Sequence, residues 1–348
     1  EDNMKPQTLQ KTALALLVGW YAANAAAYSE QGQAGNTKSW ESAEYLKDWG
    51  LTSMNASTAY ALGFNGSGVK IGVMDSGVLL NHPEFQDGRI HVVKTEGTYS
   101  KDGMRYPDAS VGNGPINKNE PVKNGKRNFD KTDNGIFTKG EAFNIDGAWH
   151  KYTNDAHGTH VGGTMAASRD GNEMHGVAFG ANLYSANTGG NDNMTYGPNQ
   201  DYSFFLQGYS ALADAGAKVI NNSWGSNRRV NSSFAGALGY KPKYDWRNVP
   251  EYGVQYYDVP KAPEPISSPA AHIYLSNLGE AEKAYYQFVT SGEKNFVDAA
   301  YEVAKNKQVI QVFTAGNRSM MAESFTRAML PYFRPDAEKY WVNVTGQV

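Results

Sequence analysis

The sequence predicts an α/β protein with a three-layer, doubly wound and mostly parallel sheet, incomplete at its C-terminal end. Three observations carry that expectation. Short apolar runs recur along the chain, separated by helical or irregular stretches, which is the order that builds βαβ units. Runs such as Val309–Thr314 (VIQVFT) are nearly continuously apolar, as strands covered on both faces are. The residues just past the run ends are mostly small or polar, as the ligand-binding carboxyl edge of such a sheet requires. Those residues are Asp75, Ser223-Trp224-Gly225 and Ala315-Gly316-Asn317, with Trp224 the one bulky exception.

From the N-terminus, Glu1-Asp2-Asn3 reads as sequence translated upstream of a start at Met4. A short basic opening through Lys11, the apolar run Thr12–Ala22 and a small-residue exit at Ala23–Ala27 have the layout of a secretory signal peptide over 4–27. The run is too short for a membrane span, which needs about 20 apolar residues. Residues 28–62 form an N-terminal segment expected to pack on the main domain, with short helices over Trp40–Ala61. The main domain runs over 63–348. Its strands are expected at Val69–Met74, Asn182–Ala186, Lys218–Asn221, Val309–Thr314 and Trp341–Val344. Its helices are expected from His157, over Phe204–Ala215 with Gly216 as the stop, and over Phe296–Ala304. Two stretches break the alternation, near 95–152 (Gly, Asn, Asp and Lys) and near 227–291 (Pro, Tyr and Ala). Both read as surface insertions.

Composition narrows the function classes. The 348 residues, 40% of them hydrophobic, are enough for a large core. A net charge of −3 leaves no electrostatic footprint for nucleic acid. The absence of cysteine removes thiol catalysis, disulfides and thiolate metal sites, and it fixes no compartment.

The chemistry concentrates in two glycine-flanked motifs. In Val69–Gly77 an apolar run ends at Asp75, and in His157–Thr164 a histidine heads a small-residue helix. A carboxylate at a strand end and an imidazole at a helix start are two parts of a hydrolytic triad. Such an imidazole takes a hydroxyl proton and returns it to a leaving amine, while a buried acid holds the ring in orientation. No serine in a suitable setting follows before Val348, so the chain reads as a serine peptidase cut off before its nucleophile. His160, one helical turn beyond His157, reads as structural. A two-histidine metal site there would lack both an intervening glutamate and any thiolate.

Asp75-Ser76-Gly77, His157-Gly158-Thr159-His160, Asn222-Ser223-Trp224-Gly225 and Ala315-Gly316-Asn317 resemble, in order, the successive signatures of subtilisin-like serine peptidases. The similarity spans Gly63 to Val348. Trp49-Gly50-Leu51, Asn55-Ala56, Ala59-Tyr60-Ala61, Leu330-Pro331-Tyr332-Phe333 and Trp341-Val342 resemble that family's autotransporter branch. The resemblance implies a subtilisin-like fold, His157 as general base, Asp75 as its orienting acid and Asn317 as an oxyanion-hole donor. It further implies that Ser223, Trp224, Gly225, Ala315 and Gly316 bind substrate, with Ser223–Gly225 pairing with an extended peptide as an added strand would. Trp224 should then line a subsite; the other reading makes it a core aromatic. Ser232-Ser233-Phe234-Ala235 and Ser319-Met320-Met321-Ala322 echo the family's Gly-Thr-Ser-x-Ala block without its Gly-Thr or its following proline, so the nucleophile is expected beyond Val348. No cofactor is required. Structural calcium occurs in the family, yet Asp170-Gly171-Asn172-Glu173 reads first as a short acidic turn, and no metal is assigned. The expected protein is an exported endopeptidase, secreted or at the cell surface of a Gram-negative bacterium, acting on protein or peptide substrates; the autotransporter resemblance further implies a C-terminal outer-membrane barrel outside this chain. Two alternatives are a peptide-binding pseudopeptidase and a metal-dependent hydrolase using Asp75, His157 and His160.

Overall fold

The computed structural model describes residues 32–101, 103–104, 136–149, 156–188, 201–224, 244–249, 254–258, 294, 296–314 and 330–344. The expected leader at 4–27 lies outside them. The chain divides into two compact units, one formed by residues 1–67 with 163–181 and the other by 68–162 with 182–348.

In the first unit, α1 (Ala43–Lys47), α2 (Trp49–Ser53) and α3 (Ala56–Ala61) follow one another, as the sequence predicts for Trp40–Ala61. Helices this short do not persist alone in water. The Ser42 hydroxyl accepts the Tyr45 amide and the Asp48 carboxylate accepts the Gly50 amide, capping α1 and α2. Tyr45, Leu51, Ala56 and Tyr60 then bury one another, with Val177 and Phe179 packed against them. The Tyr60 hydroxyl donates to the Val177 carbonyl at 2.8 Å, and burial pushes that phenol's pKa up.

The second unit carries the sheet. Its elements begin with β1 (Lys70–Asp75), β2 (Ile90–Val92), β3 (Lys94–Thr98), β4 (Gly103–Met104), β5 (Ile136–Phe137) and β6 (Ala142–Asp146). Then come α4 (His157–Ala166), β7 (Asn182–Asn187), α5 (Tyr202–Asp214), β8 (Val219–Asn222), β9 (Tyr244–Val249) and β10 (Val254–Asp258). Last are α6 (Phe296–Lys307), β11 (Ile310–Thr314), α7 (Leu330–Phe333) and β12 (Trp341–Val344). Six strands form one sheet in the order β12-β11-β8-β1-β7-β2, and every pairing in it is parallel. The chain leaves β1 toward the β7–β2 side and leaves β8 toward β11 and β12. The carboxyl ends of β1 and β8 therefore flank a topological switch point, where doubly wound sheets hold ligands.

Alternation along each strand sorts side chains to two faces. On one face Met74 of β1, Ile220 of β8 and Phe313 of β11 meet Phe204, Phe205, Tyr209 and Leu212 of α5 and Phe296, Ala299 and Val303 of α6, all buried. On the other face α4 comes close. A Cβ on Gly162 would stand 3.1 Å from Val78 Cγ1 and 3.2 Å from Leu183 Cδ2, so glycine lets the helix approach β7. That is the predicted three-layer α/β arrangement. Beneath the strand ends, the Tyr209 hydroxyl donates to Asn222 Oδ1 at 2.8 Å. Asn222 Nδ2 donates in turn to Gln311 Oε1 at 3.1 Å and to the Val312 carbonyl at 3.2 Å, a buried network that fixes β8 against β11.

The stretches expected as surface insertions are described in part. β3 and β6 pair antiparallel at the base of the first, where Tyr99 and Phe143 are buried in the main core. Its stems therefore belong to the core, because two aromatic rings near polar, glycine-rich sequence still gain by burial. In the second, β9 and β10 pair antiparallel. Among the described residues no helix is long and apolar enough to cross a membrane.

Candidate active site

β1 is a central strand in which Val73 and Met74 are fully buried, and it ends at Asp75 rather than one residue earlier as the apolar run implied. The polypeptide returns at the head of α4, 82 residues on, where His157 Nδ1 lies 2.8 Å from Asp75 Oδ1. The acid is 2% exposed and the histidine 31%. Charge-assisted hydrogen bonds meet the burial of Oδ1, Oδ2 is buried without a hydrogen-bond partner among the described residues, and an edge of the ring stays open to solvent. A proton on Nδ1 donates to Oδ1 and puts the lone pair on Nε2, the tautomer a general base needs.

Main chain and hydroxyls hold the pair in place. The Ser76 amide donates to the same Asp75 Oδ1 at 2.7 Å, and the Asp75 carbonyl accepts the Thr188 amide at 2.7 Å. The Ser76 hydroxyl accepts the Gly158 amide at 2.8 Å. Reciprocally, the Thr159 hydroxyl accepts the Leu79 amide at 3.0 Å. The loop after β1 and the first turn of α4 are thus laced in both directions, which uses amides that a helix N-terminus leaves unpaired. The lacing is close: a Cβ on Gly158 would lie 2.5 Å from the Gly77 carbonyl oxygen, so only glycine fits without movement.

Of the residues singled out from sequence, Asp75 and His157 are brought together. Ser223 follows β8 immediately, with its hydroxyl accepting from Asn221 Nδ2 at 2.8 Å. Trp224 corrects the expectation of a subsite wall. Its indole is 2% exposed, packs on Phe205 and Phe296 with ring centroids 5.5 and 5.2 Å away, and donates to the Met74 carbonyl at 2.7 Å. The apolar area of the ring is better buried among those aromatics than displayed to a peptide. Gly225, Ala315, Gly316 and Asn317 lie outside the described residues, as do Ser232, Ser233 and Ser319. The strand leading to Asn317 is placed, with Phe313 of β11 in register with Asn222. His160 is exposed. In the Asp170–Glu173 turn the Asp170 and Gly171 amides donate to Glu44 and the Asn172 amide to Asp170. Among the described residues no group of three or more His, Asp or Glu could hold a metal ion.

Sequence reasoning missed Ser76 and Thr159 as partners of the site. The available signal was a hydroxyl residue directly inside each motif, Asp75-Ser76-Gly77 and His157-Gly158-Thr159.

Comparison with known proteins adds four findings. The model of the subtilase family matches residues 66–346. An extracellular serine protease of Serratia marcescens is 29% identical over 344 residues, covering 97% of this chain and 26% of that protein. Bacillopeptidase F of Bacillus subtilis is 28% identical over 275 residues, covering 74% of this chain and 16% of its own length. Among solved structures, that of fervidolysin from Fervidobacterium pennivorans covers 85% of this chain and 28% of its own, at 17% identity and a TM-score of 0.36. The chain spans about a quarter of the length of the Serratia relative, and less of Bacillopeptidase F.

Proposed function

The chain belongs to the subtilase family, and from that premise we propose that it supplies the acid and base of an exported serine endopeptidase. The observation that carries this reading is the 2.8 Å contact between His157 Nδ1 and the buried Asp75 carboxylate at the switch point of the sheet. In the proposed reaction His157 Nε2 takes the proton of a serine hydroxyl as that oxygen attacks the peptide carbonyl. It then gives the proton to the leaving amine, and an acyl-enzyme forms that water hydrolyses. Asp75 holds the ring and stabilises the imidazolium. Asn317 donates to the developing oxyanion. Ser223, with Gly225, Ala315 and Gly316, borders an extended peptide substrate. The chemistry requires no cofactor. Export is supported by the leader-like segment at 4–27 and by a relative described as extracellular. An outer-membrane barrel, as in autotransporters, is a separate part of the proposal.

The nucleophile in this reading is neither Ser233 nor Ser319, since neither has Gly-Thr before it or proline after it. Two measurements test the scheme. A fluorophosphonate probe should leave the 348-residue chain unlabelled, and stoichiometric labelling of either serine overturns that placement. In the full-length natural protein, Asp75→Asn should lower kcat for casein hydrolysis by about 10⁴-fold, because the ring loses the acceptor that fixes its tautomer. A full-length protein that binds casein without cleaving it replaces the peptidase reading with a binding module.

A further inference from the structure

We propose that Trp224 is a positioning residue for the Asp75–His157 pair: its buried indole N–H, donating to the Met74 carbonyl, ties the end of β8 to the end of β1 one residue before the acid. The inference rests on the peptidase reading above, through the role given there to Asp75.

The β1–β8 register runs through Ile71↔Val219 and Gly72↔Ile220 and ends at Val73↔Asn221. Past that pair β1 stays paired with β7 through Asp75↔Asn187 and β8 with β11 through Asn222↔Phe313, so backbone pairing between β1 and β8 stops where the site begins. The Trp224 indole spans this gap. Its Nε1 lies 2.7 Å from the Met74 carbonyl oxygen, at the short end of N–H···O distances.

That carbonyl belongs to the peptide unit joining Met74 to Asp75. Holding it fixes the plane on which the Asp75 Cα is mounted. On the opposite side the Thr188 amide holds the Asp75 carbonyl at 2.7 Å. The acid's backbone is therefore gripped from β8 by an indole and from β7 by an amide. Its carboxylate, on the other face of the strand from Met74, receives the Ser76 amide and His157.

The strut is stiff because its own ring is immobilised. Trp224 packs against Phe205 of α5, Phe296 of α6 and Phe313 of β11, with centroids 5.5, 5.2 and 6.4 Å away. Two helices and a third strand thus set the direction of one N–H. Since Trp224 directly follows Ser223, a peptide that pairs with that segment presses on a backbone already linked to the acid.

Trp224→Phe keeps an aromatic ring and removes the donor. In this chain, ¹⁵N-histidine NMR should show the Nδ1 proton of His157 moving upfield or broadening while unfolding stays cooperative. In the full-length protein kcat should fall about 10- to 100-fold with KM little changed, the penalty of a sub-ångström misplacement. Should Trp224→Phe fail to fold, β-(3-benzothienyl)alanine at position 224 preserves the ring shape with sulfur in place of N–H, and the same two readouts apply.

An unmoved Nδ1 proton and unchanged kcat, even with a lowered Tm, make the residue merely structural and overturn the proposal. A changed cleavage-site profile at constant kcat also overturns it, in favour of a subsite wall. Asp75→Asn serves as the control. If it leaves full-length hydrolysis intact, the peptidase reading itself fails; if it abolishes hydrolysis while the Trp224 variants behave as wild type, the strut alone is rejected.

Discussion

Gly158→Ala places a methyl group where α4 meets the loop after β1. The new Cβ would stand 2.5 Å from the Gly77 carbonyl oxygen, 2.9 Å from the Gly77 nitrogen and 3.0 Å from the Ser76 nitrogen. All three are main-chain atoms, so no rotamer change relieves the overlap. Ordinary contact begins at 3.4 Å, and the first turn of α4 must retreat by about 0.9 Å. That movement acts directly on the 2.8 Å contact of His157 with Asp75 and the 2.8 Å bond from Gly158 to Ser76. Both then exceed the roughly 3.2 Å limit of a good N–H···O bond. Overpacking of this kind costs about 1–3 kcal/mol, and a misplacement near 1 Å lowers turnover about 100-fold. The expected result is a folded chain with lowered Tm and no sharp His157 Nδ1 proton signal, and a full-length protein with kcat down about 100-fold. Wild-type kcat together with an unaltered Nδ1 signal would refute the claim that this close approach sets the geometry of the pair.

Two further outcomes follow from contacts away from the pair. Tyr209→Phe removes the donor to Asn222 Oδ1 and leaves that buried oxygen without it, so urea unfolding should show a loss of about 1–3 kcal/mol. A loss indistinguishable from zero would mean the network does not restrain β8. Hydrogen bonds from Lys305 and then Tyr301 hold the Asp336 carboxyl below its ordinary value of 3.8. A depressed acid stabilises the fold above that value, and the contribution fades as pH falls through the lower folded value. The Tm difference between wild type and Asp336→Asn should therefore be present at neutral pH and shrink below about pH 4; a difference that grows on acidification contradicts the sign.

The layering was legible because apolar periodicity reports which positions need burial. The runs at Asn182, Lys218, Val309 and Trp341 became strands within a residue or so of their expected limits. Asp75 and His157 were legible because each sits in a compact motif with small neighbours. The stems of the stretch at 95–152 were not, since Tyr99 and Phe143 are isolated aromatics in polar sequence and their burial depends on α5 lying across β3. Trp224 shows the same limit at the site: its position after a strand points to a subsite wall, whereas its ring is buried among Phe205 and Phe296.

The sequence by itself determined the α/β alternation, the lack of cysteine in these 348 residues and the two motifs that carry Asp75 and His157. Only the tertiary structure decided that these two, 82 residues apart, share a 2.8 Å contact, that Ser76 and Thr159 lace their loops, and that Trp224 turns inward. The reason is physical. Local pattern encodes how much of a side chain must leave water, whereas the partner it finds is set by which strands and helices the chain later brings alongside it.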